Sequence, residues 1–248
     1  MVVTTAVSRI AASGAPVDLV LPEALGDLRW YGSTRFSGPR TARQFFLAPA
    51  GEHRAVPTHA LPGATRRTEP MRGFDAVLFE ARDRSDAALV LAGPHHEATT
   101  WFGGPAPDPA GLSALLTGLR FTDSPRGAAL TPVSDMTAAQ RDTSLIARSR
   151  DATLVVRPAA DALPALPDWA GAALPGGEMW RAERVLDPAS TAAVAGTPHR
   201  WRYLFAGDSV AMDLVLHGPE AGRARTALSD DAVASALASL GGSWAARR

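Results

Sequence analysis

The sequence predicts an α+β protein of two similar halves, residues 1–125 and 126–248, each a mainly antiparallel sheet with flanking helices in a sandwich-like arrangement. Three observations carry that expectation. Short β-prone runs bounded by Gly and Pro recur along the chain. Each half closes with a stretch of apolar residues at helical spacing. The two sets of signals come in the same order, as an internal duplication would leave them.

In chain order, residues 17–22 (VDLVLP) form a short apolar run closed by Pro, and an Ala/Leu/Asp stretch follows, ending in Trp30-Tyr31. Residues 48–70 read as a loop. Residues 74–80 (FDAVLFE) are an apolar strand core, and the charged cluster Arg82, Asp83, Arg84 and Asp86 reads as a solvated hairpin turn. Leu89-Val90-Leu91 with Gly93-Pro94 completes the hairpin. Leu112, Leu116 and Leu119, at i, i+4 and i+7, mark one helix face; Asp108-Pro109 supplies its cap and first turn, and Gly118 lies in its last.

Residues 123–135 (DSPRGAALTPVSD) are rich in turn formers and read as the connection between the halves, and residues 136–148 as a short helix capped by Asp135. The signals then recur. Residues 153–158 (TLVVRP) match 17–22, and residues 158–177 form a loop containing Trp169. Residues 201–205 put Trp201, Tyr203 and Phe205 on one strand face. Leu214-Val215-Leu216 with Gly218-Pro219 matches the earlier Leu-Val-Leu and Gly-Pro. Val233, Leu237 and Leu240 repeat the helical spacing, between Ser229-Asp230-Asp231 as cap and Gly241-Gly242 as stop. A helix laid across a one-sided antiparallel sheet would satisfy both patterns.

The second half resembles the Mog1/PsbP-like families. The residues that carry the likeness are Leu154-Val155-Val156-Arg157, Val194-Ala195-Gly196-Thr197-Pro198, the strand at 201–205, its partner at 212–216, and the helix end Ala238-Ser239-Leu240; the first half closes similarly with Leu116-Thr117-Gly118-Leu119-Arg120-Phe121. The resemblance implies an antiparallel sheet flanked by helices, used as a binding or accessory module without chemistry of its own. It carries no functional residues.

Composition narrows the function classes. The formal net charge is zero, which argues against a general nucleic-acid binder. All 25 basic residues are Arg, as coding from a GC-rich bacterial genome would give, so a lone Arg says little. The absence of Cys excludes disulfides, thiolate metal sites and a cysteine nucleophile. Without Lys there is no Walker-type phosphate loop and no Schiff base, hence no pyridoxal phosphate. Neither G-x-S-x-G nor G-x-G-x-x-G occurs, and no cofactor is expected. No secretion signal and no apolar run of membrane-spanning length is found, which predicts a cytoplasmic protein without membrane insertion.

The sharpest chemical candidate is His95-His96-Glu97, with His53 and His59 in the preceding loop. Imidazole and carboxylate are the metal ligands left once Cys is absent. Adjacent residues diverge on extended chain, however, and HExxH spacing is missing, so neither a metal site nor a catalytic residue is assigned. His199 and His217 read as surface or satisfied polar residues rather than catalysts. Trp30, Trp101 and Trp244 join His95, His96 and Glu97 as candidate partner- or ligand-binding residues, because aromatics anchor interfaces. Trp244 would be exposed unless a partner or the sheet covers it.

These observations favour a non-enzymatic accessory or adaptor protein that binds another protein through a pseudo-symmetric α+β surface, an immunity protein or inhibitor included. The alternative is a small-molecule- or metal-binding enzyme with its site between the halves near His95 and His96.

Overall fold

The computed structural model describes residues 3–38, 42–134, 138–221 and 228–245. In chain order the elements are β1 (Thr4–Ile10), β2 (Pro16–Pro22), β3 (Arg29–Ser37), β4 (Arg43–Pro49), β5 (Thr65–Met71), β6 (Phe74–Glu80), β7 (Ala87–Ala92), β8 (His96–Trp101), α1 (Pro109–Gly118), β9 (Leu119–Ser124) and β10 (Gly127–Pro132). Then come β11 (Ala139–Arg148), β12 (Ala152–Pro158), α2 (Ala159–Ala162), β13 (Ala172–Leu174), β14 (Gly177–Glu183), α3 (Pro188–Val194), β15 (Trp201–Ala206), β16 (Val210–Leu216), α4 (Asp230–Leu237) and β17 (Gly241–Trp244).

The expected α+β sandwich with flanking helices is overturned. The protein is mostly antiparallel β, 49% strand against 21% helix, and two series of six strands dominate it. Three segments hid their strands from pattern reading. Every residue of β5 is exposed, so no apolar alternation betrays it; it is held by main-chain pairing along the whole of β6. The stretch read as a connection folds as the hairpin β9–β10. Where a helix was expected over residues 136–148, β11 runs instead. Its inward residues are partly polar: Gln140 donates to the carbonyls of Ala12 and Leu130 and to Thr34, whose hydroxyl also meets that of Thr143 at 3.1 Å. Asp135, the expected cap, lies outside the described residues. Among the described residues no helix is long and apolar enough to cross a membrane.

The helix signals at the ends of the repeats correspond to α1 and α4, but each helix stops short of its third expected position: Leu119 opens β9 and Leu240 lies beyond α4. The Asp108 carboxylate accepts from the Gly111 amide and the Ser229 hydroxyl from the Ala232 amide, as side-chain caps do.

The described chain divides into two compact units. The middle unit (residues 10–15 and 31–144) has the strand order β3-β4-β8-β7-β6-β5, with α1 and the β9–β10 hairpin. Phe36, Phe45, Leu89, Leu91, Leu115 and Leu130 form its main core, with Phe36 and Phe45 edge to face. Val77, Phe79 and Val90 pack on the opposite face of the same strands. Burial on both faces is why β7, Ala-Ala-Leu-Val-Leu-Ala, reads as a continuous apolar run.

The terminal unit (residues 3–9, 16–30 and 145 onward) has the order β11-β12-β16-β15-β14-β13, with β1, β2, α4 and β17. Leu154, Val156, Phe205, Met212, Leu214 and Leu240 are buried in it.

The two strand orders are the same: first, second, sixth, fifth, fourth, third. The registers agree too. Pro49 ends β4 opposite His96, as Pro158 ends β12 opposite Val210. Ala92 faces Glu97 as Ala206 faces Ala211. Two-residue turns, Arg72-Gly73 and Pro175-Gly176, join the third and fourth strands of each series. This correspondence is not the one the sequence suggests. Leu89-Val90-Leu91 lies on the fifth strand of its series, whereas Leu214-Val215-Leu216 lies on the sixth, so that match is one strand out of step.

Candidate functional site

The His95-His96-Glu97 signal resolves into two separate imidazole–carboxylate pairs, both in the middle unit. His96 and Glu97 are neighbours on β8 and point to opposite faces. Glu97 is 1% exposed. Its carboxylate accepts from the Gly51 amide at 2.8 Å, the His53 amide at 2.6 Å and His53 Nδ1 at 2.7 Å. On the other face, His96 Nδ1 lies 2.8 Å from Asp123 Oδ1, and Asp123 Oδ2 accepts from the amides of His95 and His96. The Ala50 amide donates to the His95 carbonyl and ties the two loops together.

This is a stapling arrangement. Each buried acid is saturated by backbone N–H groups and one ring, which is what a carboxylate requires away from water. Among the described residues no group of three or more His, Asp and Glu side chains is placed to hold a metal ion. His59 is exposed in the preceding loop.

Of the other two histidines, His199 holds backbone and His217 a hydroxyl. His199 is 1% exposed. Its Nδ1 donates to the Leu216 carbonyl and its Nε2 accepts from the Leu228 amide, a neutral imidazole used as a bridge. Beside it Arg184 pairs with Glu220 at 2.8 Å and donates to the His199 carbonyl. His217 Nε2 meets the Thr153 hydroxyl.

The flagged tryptophans are largely occupied. Trp30 is half-buried with the Arg9 guanidinium 5.0 Å from its ring. Burial lowers the pKa of that guanidinium. Trp101 packs against the Val77–Phe79–Val90 cluster. Trp244 is covered by the sheet: it ends β17, opposite Val17 of β2, and is 6% exposed.

One tryptophan is not covered. Trp169 is 63% exposed at the edge of a groove in the terminal unit, lined also by Met179, Trp180, Arg181, Tyr203 and Leu237, with a cavity volume of about 480 Å³. Its position is built. Trp180 Nε1 donates to the Trp169 carbonyl at 2.7 Å. Gly171 lies so close to β14 that an added Cβ would sit 2.6 Å from the Met179 carbonyl oxygen and 2.8 Å from the Trp180 ring. Tyr203 on the floor donates to the Pro198 carbonyl. Its pKa is pushed up to about 12, by burial first and then by the charge of Asp230, with Arg181 opposing, so it stays a neutral phenol. At one end the guanidinium of Arg181 lies 4.9 Å, and that of Arg200 4.1 Å, from the Trp201 ring.

The corresponding place in the middle unit, between β5, β6 and α1, is also a groove, of about 640 Å³, lined by Arg67, Met71, Leu78, Glu80, Leu112 and Leu116 among others. Its charges are internally paired: Glu80 lies 3.9 Å from Arg67 and 3.2 Å from Arg84.

Sequence reading missed the Trp169 groove. Met179, Arg181 and Leu237 are remote from Trp169 along the chain, and the only local signal is a large aromatic between turn formers, Leu-Pro-Asp-Trp-Ala-Gly. No protein-family model, curated protein or solved structure matches the chain.

Proposed function

We propose that the chain is a non-catalytic binding module that takes a segment of another protein into the groove at Trp169. The observation that carries this reading is an indole left uncovered on a backbone that is tied down. Leaving a large apolar side chain in water forgoes about 1.5–3 kcal/mol of burial. Here the backbone around Trp169 is nonetheless tied down by Trp180 and by the close approach at Gly171. A pre-set aromatic beside an apolar groove is the form interface anchors take.

The polar residues support a non-catalytic reading. His53, His96, Glu97, Asp123 and His199 are engaged with loops or with one another. Tyr203, the titratable group on the groove floor, is neutral and donates to backbone. We take the two six-strand series as copies of one unit, of which the second has opened an aromatic groove where the first carries paired charges.

The test is quantitative capture of partners on the full-length wild-type chain, on Trp169→Ala and on Met71→Ala, the last as a control in the other groove. One partner recovered near stoichiometry by wild type and by Met71→Ala, and reduced about tenfold or more by Trp169→Ala, is the expected result. Equal recovery by wild type and Trp169→Ala, or no partner at all, overturns the reading.

A further inference from the structure

We infer, resting on the reading above, that the segment accepted by the groove is acidic, with an Asp or Glu about two residues from an apolar anchor. Arg181 lines the groove and shares the Trp201 ring with Arg200. Neither arginine has an ion-pair partner among the described residues. Other arginines of the same unit do: Arg184 pairs with Glu220 and Arg202 with Asp213. The equivalent groove of the middle unit neutralises its own arginines through Glu80. Of the acids around the groove, Glu183 opposite Trp201, Asp230 near Tyr203, Glu178, which accepts from the Gly171 amide, and Asp168 beside Trp169 form no ion pair with Arg181 or Arg200.

The strand register sets the spacing. Met179 faces Phe205 and Arg181 faces Tyr203, with Trp201 two residues further on the same face. The groove lining therefore passes from the buried Met179 to the exposed Arg181 over two residues of strand, about 7 Å. An extended peptide rises at the same rate, so its acid and its anchor stand at i and i+2. A guanidinium stacked on an indole uses its π face and keeps its in-plane N–H groups for a carboxylate. The Arg181 end of the groove is thus complementary to a carboxylate, while the opposite charge of Asp230 stands near Tyr203 on the floor.

The test is selection of short random peptides displayed on phage against the full-length chain. The selected peptides are then titrated by fluorescence anisotropy onto wild type, Trp169→Ala, and the double variants Arg181→Glu/Arg200→Glu and Arg181→Gln/Arg200→Gln, each checked for a wild-type circular dichroism spectrum. Enriched peptides should carry Asp or Glu two residues from an aromatic or aliphatic side chain. They should lose about tenfold or more in affinity on Trp169→Ala and on charge reversal, and less on the Gln pair. The reversed variant should gain affinity for analogues with Arg in place of the acid. Peptides that need Trp169 but bind the reversed variant as tightly as wild type overturn the acidic inference and leave the binding reading standing. Selected peptides indifferent to Trp169, or none enriched, overturn both. Displacement of the peptides by an equal concentration of single-stranded oligodeoxythymidylate would assign the groove to nucleic acid and overturn the inference.

Discussion

Glu97→Ala is expected to be among the most damaging single substitutions in the middle unit, and the structure gives its size. The carboxylate is almost fully buried and accepts three hydrogen bonds, from the Gly51 and His53 amides and from His53 Nδ1. Removing it leaves those three donors in a water-poor site. Each unsatisfied buried donor costs about 1–3 kcal/mol. The loss of a buried anion returns part of this, so about 3–5 kcal/mol is the expected net cost. His53→Ala removes one of the three bonds and leaves both amides satisfied, so it should cost about 1–2 kcal/mol. The chain has two units, so a single unfolding midpoint is a poor measure. The assay is amide hydrogen exchange at Gly51 and His53, read with urea unfolding followed by circular dichroism. Protection of the Gly51 amide should collapse in Glu97→Ala and survive in His53→Ala. If Glu97→Ala costs under about 1 kcal/mol, or less than His53→Ala, the carboxylate does not staple these loops.

Two carboxylates of the terminal unit should respond to pH in opposite directions. Burial pushes the pKa of Glu220 up, but its hydrogen bonds with Arg184 and with backbone outweigh that and hold it below the ordinary value, so its contribution is present above the unfolded pKa and fades as pH falls through the folded one. Glu220→Gln should therefore cost about 1–2 kcal/mol at neutral pH and converge with wild type in acid, measured by urea unfolding across pH. Asp213 is raised, by burial first, with Arg202 and Arg157 opposing; its native state favours the proton, so wild type should gain on Asp213→Asn as pH falls through the carboxylate range. Gly171→Ala should push residues 169–171 off Trp180, cost about 1–3 kcal/mol by urea unfolding and weaken partner capture along with Trp169→Ala. Fragments 1–125 and 126–248 should each fail to unfold cooperatively alone and regain strand signal in circular dichroism when mixed; a fragment as stable as the whole chain would refute the exchanged strand pairing.

What was legible in the sequence followed burial pattern. Residues 74–80 and 201–205, with apolar side chains on one face or both, were placed on strands, and the capped helices at α1 and α4 were placed by Asp108 and Ser229. What escaped has a common cause: the structural role lies in the backbone or in polar pairing. The strand β5 buries nothing, and β11 turns Gln140 and Thr143 inward to partners on other segments. The histidine motif is legible in the sequence but its geometry is not, because Asp123 comes to it from the β9–β10 hairpin and His53 from the turn after β4. The same limit hid the groove, whose lining converges from β14, β15, α4 and the loop before β13.

The repeat signals in the sequence and the strand orders of the structure run out of step. The Leu-Val-Leu and Gly-Pro match pairs a fifth strand with a sixth, which low-complexity composition permits. The shared strand order and register are a far more specific coincidence than those few residues. One further regularity binds the two series. The strand after α4, β17, pairs with β2, which leads into the first series; the strand after α1, β9, pairs with β10, which leads into the second. Each unit therefore completes itself with the lead strand of the other series. Val17, Leu19 and Leu21 of β2 are all buried in the unit that β17 closes. At about 1.5–3 kcal/mol for each buried side chain, these three residues alone are worth much of a domain's net stability of about 5–15 kcal/mol. Such exchange leaves the exposed grooves of the two series free to differ while neither series can be lost, and they do differ: one carries Arg67 and Arg84 paired with Glu80, the other an exposed Trp169.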